Sequence, residues 1–227
     1  MSIYGIDKER ILPMSKENFN KFAKISEKFA MKIYANYVAN SSHFFSSDVF
    51  TVRTATKIED AEYKTDFFLM KNGLEHDAFD VKCPCGVNSV ETYGISWGEW
   101  WIEPFNSQKK EKDISTLIKT IFPSIKNRYL TYIGKDAIYF VTAENLSKWA
   151  LANRSPDYRL WKDSPDAFSG FTWNDTLRNF YWDRKRGKIL TKITVEDLEA
   201  IGSKIRIMPN EHAEIEADII RAAKEGA

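Results

Sequence analysis

The sequence predicts an α/β (α+β) domain, and three features carry that expectation. Residues 15–40 repeat aromatic and aliphatic side chains at three- and four-residue steps, the period of a helix with one buried face. Two runs rich in β-branched or aromatic residues flank Asn72-Gly73, the strongest short signal for a β-hairpin. Farther along, short strand-like runs alternate with short helical patterns, without an internal repeat or a low-complexity segment.

The elements follow in order. Ser15 and Asn18 form an N-cap region, and Phe19, Phe22, Ile25, Phe29, Ile33, Tyr34 and Tyr37 make the core stripe of the first helix, which Ser41-Ser42 ends. Val49 to Thr56 reads as a short strand, and Tyr63 to Met70 and Ala78 to Cys83 as the arms of the hairpin, stopped by Cys83-Pro84-Cys85-Gly86. Thr92 to Phe105 reads as an aromatic third strand with Glu103 near its end, followed by a charged loop and a helix over 113–121. Arg128 to Ile133 and Ala137 to Val141 are strands around a Gly134-Lys135-Asp136 turn, and Thr142 caps a helix reaching Asn153. Arg154 to Asp175, with two prolines and several aspartates, is a long loop. Phe180 to Trp182 and Ile189 to Ile193 are short strands, Thr194 caps a short helix, Lys204 to Met208 is a last strand, and 211–224 is a terminal helix.

Composition narrows the function classes. The 227 residues are 43% hydrophobic and 29% charged, ordinary for a globular chain, so one domain is expected over 1–227. A net charge of +1 advertises no polyanionic partner, which leaves any nucleic-acid surface to a local patch. Neither a secretory leader nor an apolar membrane span is legible, and Cys83 and Cys85 stand too close together for an ordinary disulfide. These features point to an intracellular, cytoplasmic and reduced setting without a membrane partner. Glycine-rich phosphate loops and Gly-x-Ser-x-Gly elbows do not occur, and three scattered histidines give no basis for a histidine triad.

The chemistry concentrates in the hairpin. An acid followed two places later by lysine occurs at Glu62-Tyr63-Lys64, Asp80-Val81-Lys82 and Asp183-Arg184-Lys185. The second alone ends an apolar strand and follows another strand that carries its own aspartate, Asp66. Residues two apart in a strand share a face, so Asp80 and Lys82 project together while Val81 points the other way. Whether Asp66 joins them depends on parity. A two-residue Asn72-Gly73 loop pairs Asp66 with Phe79 and separates the aspartates; a three-residue loop, or a bulge, unites them. Two facing carboxylates repel, and a divalent ion such as Mg²⁺ relieves the conflict.

With Asp66, Asp80 and Lys82 in these places, the hairpin resembles the PD-(D/E)XK nuclease superfamily. Residue 65 departs from that motif, being Thr where the pattern has Pro. The resemblance implies a restriction-endonuclease-like core, a mixed β-sheet flanked by helices, over roughly 15–153, with 154–227 as a C-terminal extension. It implies a Mg²⁺- (or Mn²⁺-) dependent phosphodiesterase, most simply a deoxyribonuclease, with RNA still open and endo- or exonucleolytic action undecided. Asp66, Asp80 and the carbonyl of Val81 would hold metal; Lys82 would orient water and stabilise developing charge; Glu62 would assist. Upstream acids often join such a site, which makes Glu59, and downstream Glu103, further candidates. Restriction-type relatives often act as dimers, so a homodimer fits the resemblance.

A second patch suits the substrate. Arg178, Arg184, Lys185, Arg186 and Lys188 cluster with Phe180, Tyr181 and Trp182, a basic run beside aromatics that suits phosphate contact and base stacking equally with a solvated strand edge. Cys83-Pro84-Cys85 lacks the partners a tetrahedral zinc site needs. The rival to an enzyme is a non-catalytic nucleic-acid- or protein-binding module that keeps a nuclease-like fold.

Overall fold

The computed structural model describes residues 16–41, 48–87, 93–95, 97–102, 127–152, 180–183 and 188–224. Helix α1 (Lys16–Ser41) turns its stripe inward: Phe22, Phe29, Ala30 and Ile33 are buried, and Tyr37, near the C-terminal end, is half exposed. Strand β1 (Phe50–Thr54) is followed by a short helix, α2 (Lys57–Tyr63), then β2 (Phe67–Lys71) and β3 (Leu74–Lys82). Strands β4 (Cys85–Val87) and β5 (Tyr93–Ile95) pair with each other, and β6 (Glu99–Ile102) belongs to another sheet. Then come β7 (Asn127–Ile133), β8 (Ala137–Thr142) and helix α3 (Ala143–Ala152). The remainder comprises β9 (Phe180–Asp183), β10 (Lys188–Thr194), α4 (Val195–Ile201), β11 (Ser203–Arg206) and α5 (Pro209–Lys224).

Six strands form the main sheet in the order β1-β2-β3-β7-β8-β11. All neighbours are antiparallel except β3 and β7, whose parallel pairing requires the chain between them to cross over. The sheet is therefore mixed, and helices cover both faces. Alternation along β8 explains the layering: Ile138 and Phe140 face the core shared with α1 and α5, whereas Ala137, Tyr139 and Val141 face the one shared with α3 and α4. The first core holds Phe67, Phe79, Ile215 and Ile219; its Phe67 and Phe79 rings stack at 4.5 Å across the hairpin. The second holds Trp100, Tyr132, Leu146, Ile193 and Leu198. Each such fully buried large side chain contributes about 1.5–3 kcal/mol.

Two local expectations need correction. Tyr63 to Asp66 is not strand: Thr56 and Glu59 form a capping box that starts α2, and Lys64, in the left-handed region at φ 52°, ends it. The Thr-x-x-Glu signature was present in the sequence, but the aromatic and β-branched residues after it favoured an extended reading. The stretch read as one strand over 92–105 divides into β5 and β6, which belong to different sheets, with Gly98 between them. In the C-terminal extension, β11 adds to the main sheet beside β8, and α5 packs its Ile215 and Ile219 into the α1 core. The expected helix over 113–121, the long loop 154–175 and Ser15 lie outside the described residues.

Candidate functional site

The hairpin meets its parity condition by the second of the two routes. Asn72 and Gly73 both have positive φ, 52° and 79°, as a two-residue type I′ connection requires, and Lys71 pairs with Leu74. Such a turn alone would set Asp66 against Phe79. The pairing then shifts: Met70 faces Glu75, but Leu69 faces Asp77, so His76 is an extra residue on β3. Beyond this bulge Phe67 pairs with Phe79 and Phe68 with Ala78. Phe67 and Phe79 join the α1 core while Phe68 and Ala78 pack together on the opposite face, to which Asp66 and Asp80 belong by alternation.

Asp66 lies just before β2 and is held on every side. Its N–H donates to Phe79 O at 2.8 Å, its carbonyl accepts from the Ala55 N–H at 2.9 Å, and its Oδ2 accepts from the Val81 N–H at 2.6 Å. Lys82 Nζ donates to Asp80 Oδ1 and Oδ2 at 2.8 and 2.7 Å. The Asp80 side chain is 15% exposed and that of Lys82 38%, so the lysine end of the cluster opens to solvent. Burial, reinforced by the negative charge of Asp80, raises the Asp66 carboxyl from an ordinary 3.8 to about 7; the Val81 N–H opposes the shift. Carboxyls perturbed by burial together with a like charge are concentrated at functional sites.

Two further residues belong to this constellation and have no local signature in the sequence. Glu27 of α1, ion-paired to Lys24 at 2.7 Å, adds its negative charge to those acting on Asp66. Arg128, buried on β7, donates from Nη2 to the Lys64 carbonyl at 2.7 Å and senses both Asp80 and Asp66. Burial pulls its guanidinium below the ordinary value, and the two aspartates oppose that pull. A lone helical glutamate or a strand-initial arginine looks like solvated surface until the sheet order brings α1 and β7 beside the hairpin.

The other candidates fall as follows. Glu62 is exposed on α2. Glu59 is committed elsewhere: it caps Thr56 N–H at 2.6 Å and holds Arg53 in a bidentate pair at 2.9 and 3.0 Å. Glu103, Arg178, Arg184, Lys185 and Arg186 lie outside the described residues. Lys188 opens β10 opposite Asp183, in the three-stranded sheet β6-β10-β9. Cys83 Sγ accepts a long contact from Ser26 Oγ at 3.6 Å.

Among the described residues no three His, Cys, Asp or Glu side chains converge as a cage. Asp66 and Asp80 bring two carboxyls to one face, and Mg²⁺ sites often use only one or two protein carboxylates. Among the described residues no helix is long and apolar enough to cross a membrane. No family model, curated protein or solved structure matches this chain.

Proposed function

We propose that the chain is a Mg²⁺-dependent nuclease that hydrolyses phosphodiester bonds, with DNA as the substrate class, and that its core belongs with the restriction-endonuclease-like folds. One observation carries the reading: the His76 bulge sets Asp66 on the face of Asp80 and Lys82, with the Asp66 carboxyl driven up to about 7 by burial and by Asp80. Such an arrangement costs stability, and carboxyls perturbed in this way are concentrated at functional sites. The parallel β3–β7 pair within an otherwise antiparallel sheet also accords with this family's mixed core.

Asp66 and Asp80, with the Val81 carbonyl, would hold the ion. The metal would supply positive charge to a scissile phosphate and acidify water. The protein's own part is positional. Val81 N–H fixes one Asp66 oxygen, and Lys82, half free in solvent, offers an ammonium that moves from Asp80 to the anionic oxygens of a bound phosphate.

The test is cleavage of supercoiled plasmid and of single-stranded DNA in Mg²⁺, with EDTA as control. Loss of about 10²-fold or more is expected in Asp80→Ala and Lys82→Ala. Cleavage retained in both variants refutes the site. A second reading, a metal-free nucleic-acid- or protein-binding module, is favoured by the lysine that already neutralises both Asp80 oxygens. Calorimetry without any Mg²⁺ or Mn²⁺ heat, alongside salt-sensitive DNA binding, selects it.

A further inference from the structure

We propose that Arg128 is a positioning residue for Asp66, acting through the Lys64 carbonyl across the width of the hairpin. The inference rests on the reading of Asp66 as a site residue, but its geometry does not. Asp66 enters β2 from an abrupt reversal: α2 ends at Lys64, whose left-handed backbone (φ 52°, ψ 47°) redirects the chain within two residues. A non-glycine residue in that conformation is held by its surroundings at a cost of about 1 kcal/mol. The anchors of this turn are nearly all local. Lys64 N–H donates to Asp60 O, Thr65 N–H to Glu59 O, and Thr65 Oγ1 to Tyr63 O, each within α2 and its cap. Beyond the bonds Asp66 itself makes to Phe79, Ala55 and Val81, Arg128 adds a long-range anchor at Lys64, from a residue 64 positions away on β7, at 2.7 Å.

The sheet register explains how the arginine reaches. Arg128 is the register neighbour of Ala78 on β3, and Ala78 is that of Phe68 on β2. Ala78, the small residue between Arg128 and Phe68 on this face, adds no bulk beyond a methyl group to the path toward the start of β2. Arginine is suited to the task because its long stem spans the strand and its planar head keeps its charge when buried. The chain thereby couples β7, which carries no acid of the site, to the orientation of the Asp66 carboxyl and of its bond to Val81 N–H.

Amide hydrogen exchange in the metal-free protein tests this directly, using Arg128→Met, which keeps the stem and removes the donors and the charge. The Val81 amide is expected to exchange about tenfold faster, while the Tyr132 and Ile138 amides of β7 and β8 keep their wild-type rates. Unchanged Val81 exchange overturns the proposal. If Arg128→Met does not fold, Arg128→Lys, which gives up the planar head, carries the same reading: about threefold faster Val81 exchange supports it, and wild-type exchange overturns it. Mn²⁺ calorimetry gives an arm of opposite sign. Loss of positioning weakens Mn²⁺ binding about tenfold in the variant, whereas an arginine acting as counter-charge alone would leave binding tighter once removed, which also overturns the proposal. A wild-type protein that binds no Mn²⁺ defeats the nuclease reading instead, and Val81 exchange still decides the role of Arg128.

Discussion

Replacing Asp66 by Asn should stabilise the metal-free protein at alkaline pH. Asp66 is raised from 3.8 to about 7, mainly by burial and then by Asp80. Its ionised form is therefore disfavoured in the folded state. The folded protein binds the proton more tightly than the unfolded chain, so this group's favourable contribution is complete below pH 3.8 and is lost as pH rises through 7. At about 1.36 kcal/mol per unit, a rise of about three units amounts to about 4 kcal/mol at pH 8. Asn keeps an oxygen to accept the Val81 N–H and carries no charge, so it escapes the penalty. Urea unfolding in EDTA at pH 8 should show Asp66→Asn more stable by that amount, and the gap should narrow to about 1 kcal/mol at pH 4.5. A variant no more stable than wild type at pH 8 refutes the idea that the two carboxyls conflict.

Mg²⁺ at a hundred times its Kd should stabilise the wild type by about 2.7 kcal/mol, seen as a raised Tm, and should leave Asp80→Asn unmoved; equal shifts would place the ion elsewhere. Gly73→Ala should cost about 1 kcal/mol, since φ is +79° and no atom lies within 4 Å of an added Cβ. Gly202→Ala should cost more, about 2–3 kcal/mol, because its Cβ would meet the backbone oxygen of Phe140 at 2.6 Å and that of Leu198 at 3.1 Å. A reversed order in thermal denaturation would count against both. Glu59→Ala should cost about 1–2 kcal/mol at pH 7 through loss of the capping box. The Arg53 hydrogen bond, with the cap, holds the Glu59 carboxyl at about 2, so this contribution is present above 4.5 and disappears as pH falls through 2. An unchanged urea midpoint at pH 7 would refute it.

Much of the fold was legible because local chemistry and tertiary placement agree. The α1 stripe from Phe22 to Tyr34, the strands on either side of Gly134-Lys135-Asp136, and the Thr142 and Thr194 caps lie where periodicity and capping put them, while Tyr37 of the stripe is half exposed. Legibility failed where two local signals competed. At 56–66 a capping box preceded residues of high strand propensity, and the box won, because Arg53 and the Lys64 reversal support the helix from outside its own sequence. The apolar run at 92–105 reads as continuous, yet β6 leaves β5 to pair with β10, a partner some ninety residues later.

The sequence alone determined the helix, the Asn-Gly turn and the shared face of Asp80 and Lys82, since each follows from nearest-neighbour geometry and the period of two along a strand. It also posed the parity condition on Asp66 without being able to answer it. The answer came from the tertiary structure. A bulge at His76 depends on what both faces of β3 must bury, and burying Phe67 and Phe79 against α1 while pairing Phe68 with Ala78 on the other face forces the extra residue into the strand. Glu27 and Arg128 reach the aspartates for the same reason: sheet order and helix packing, set by burial of apolar surface over the whole chain, decide which distant charges become neighbours.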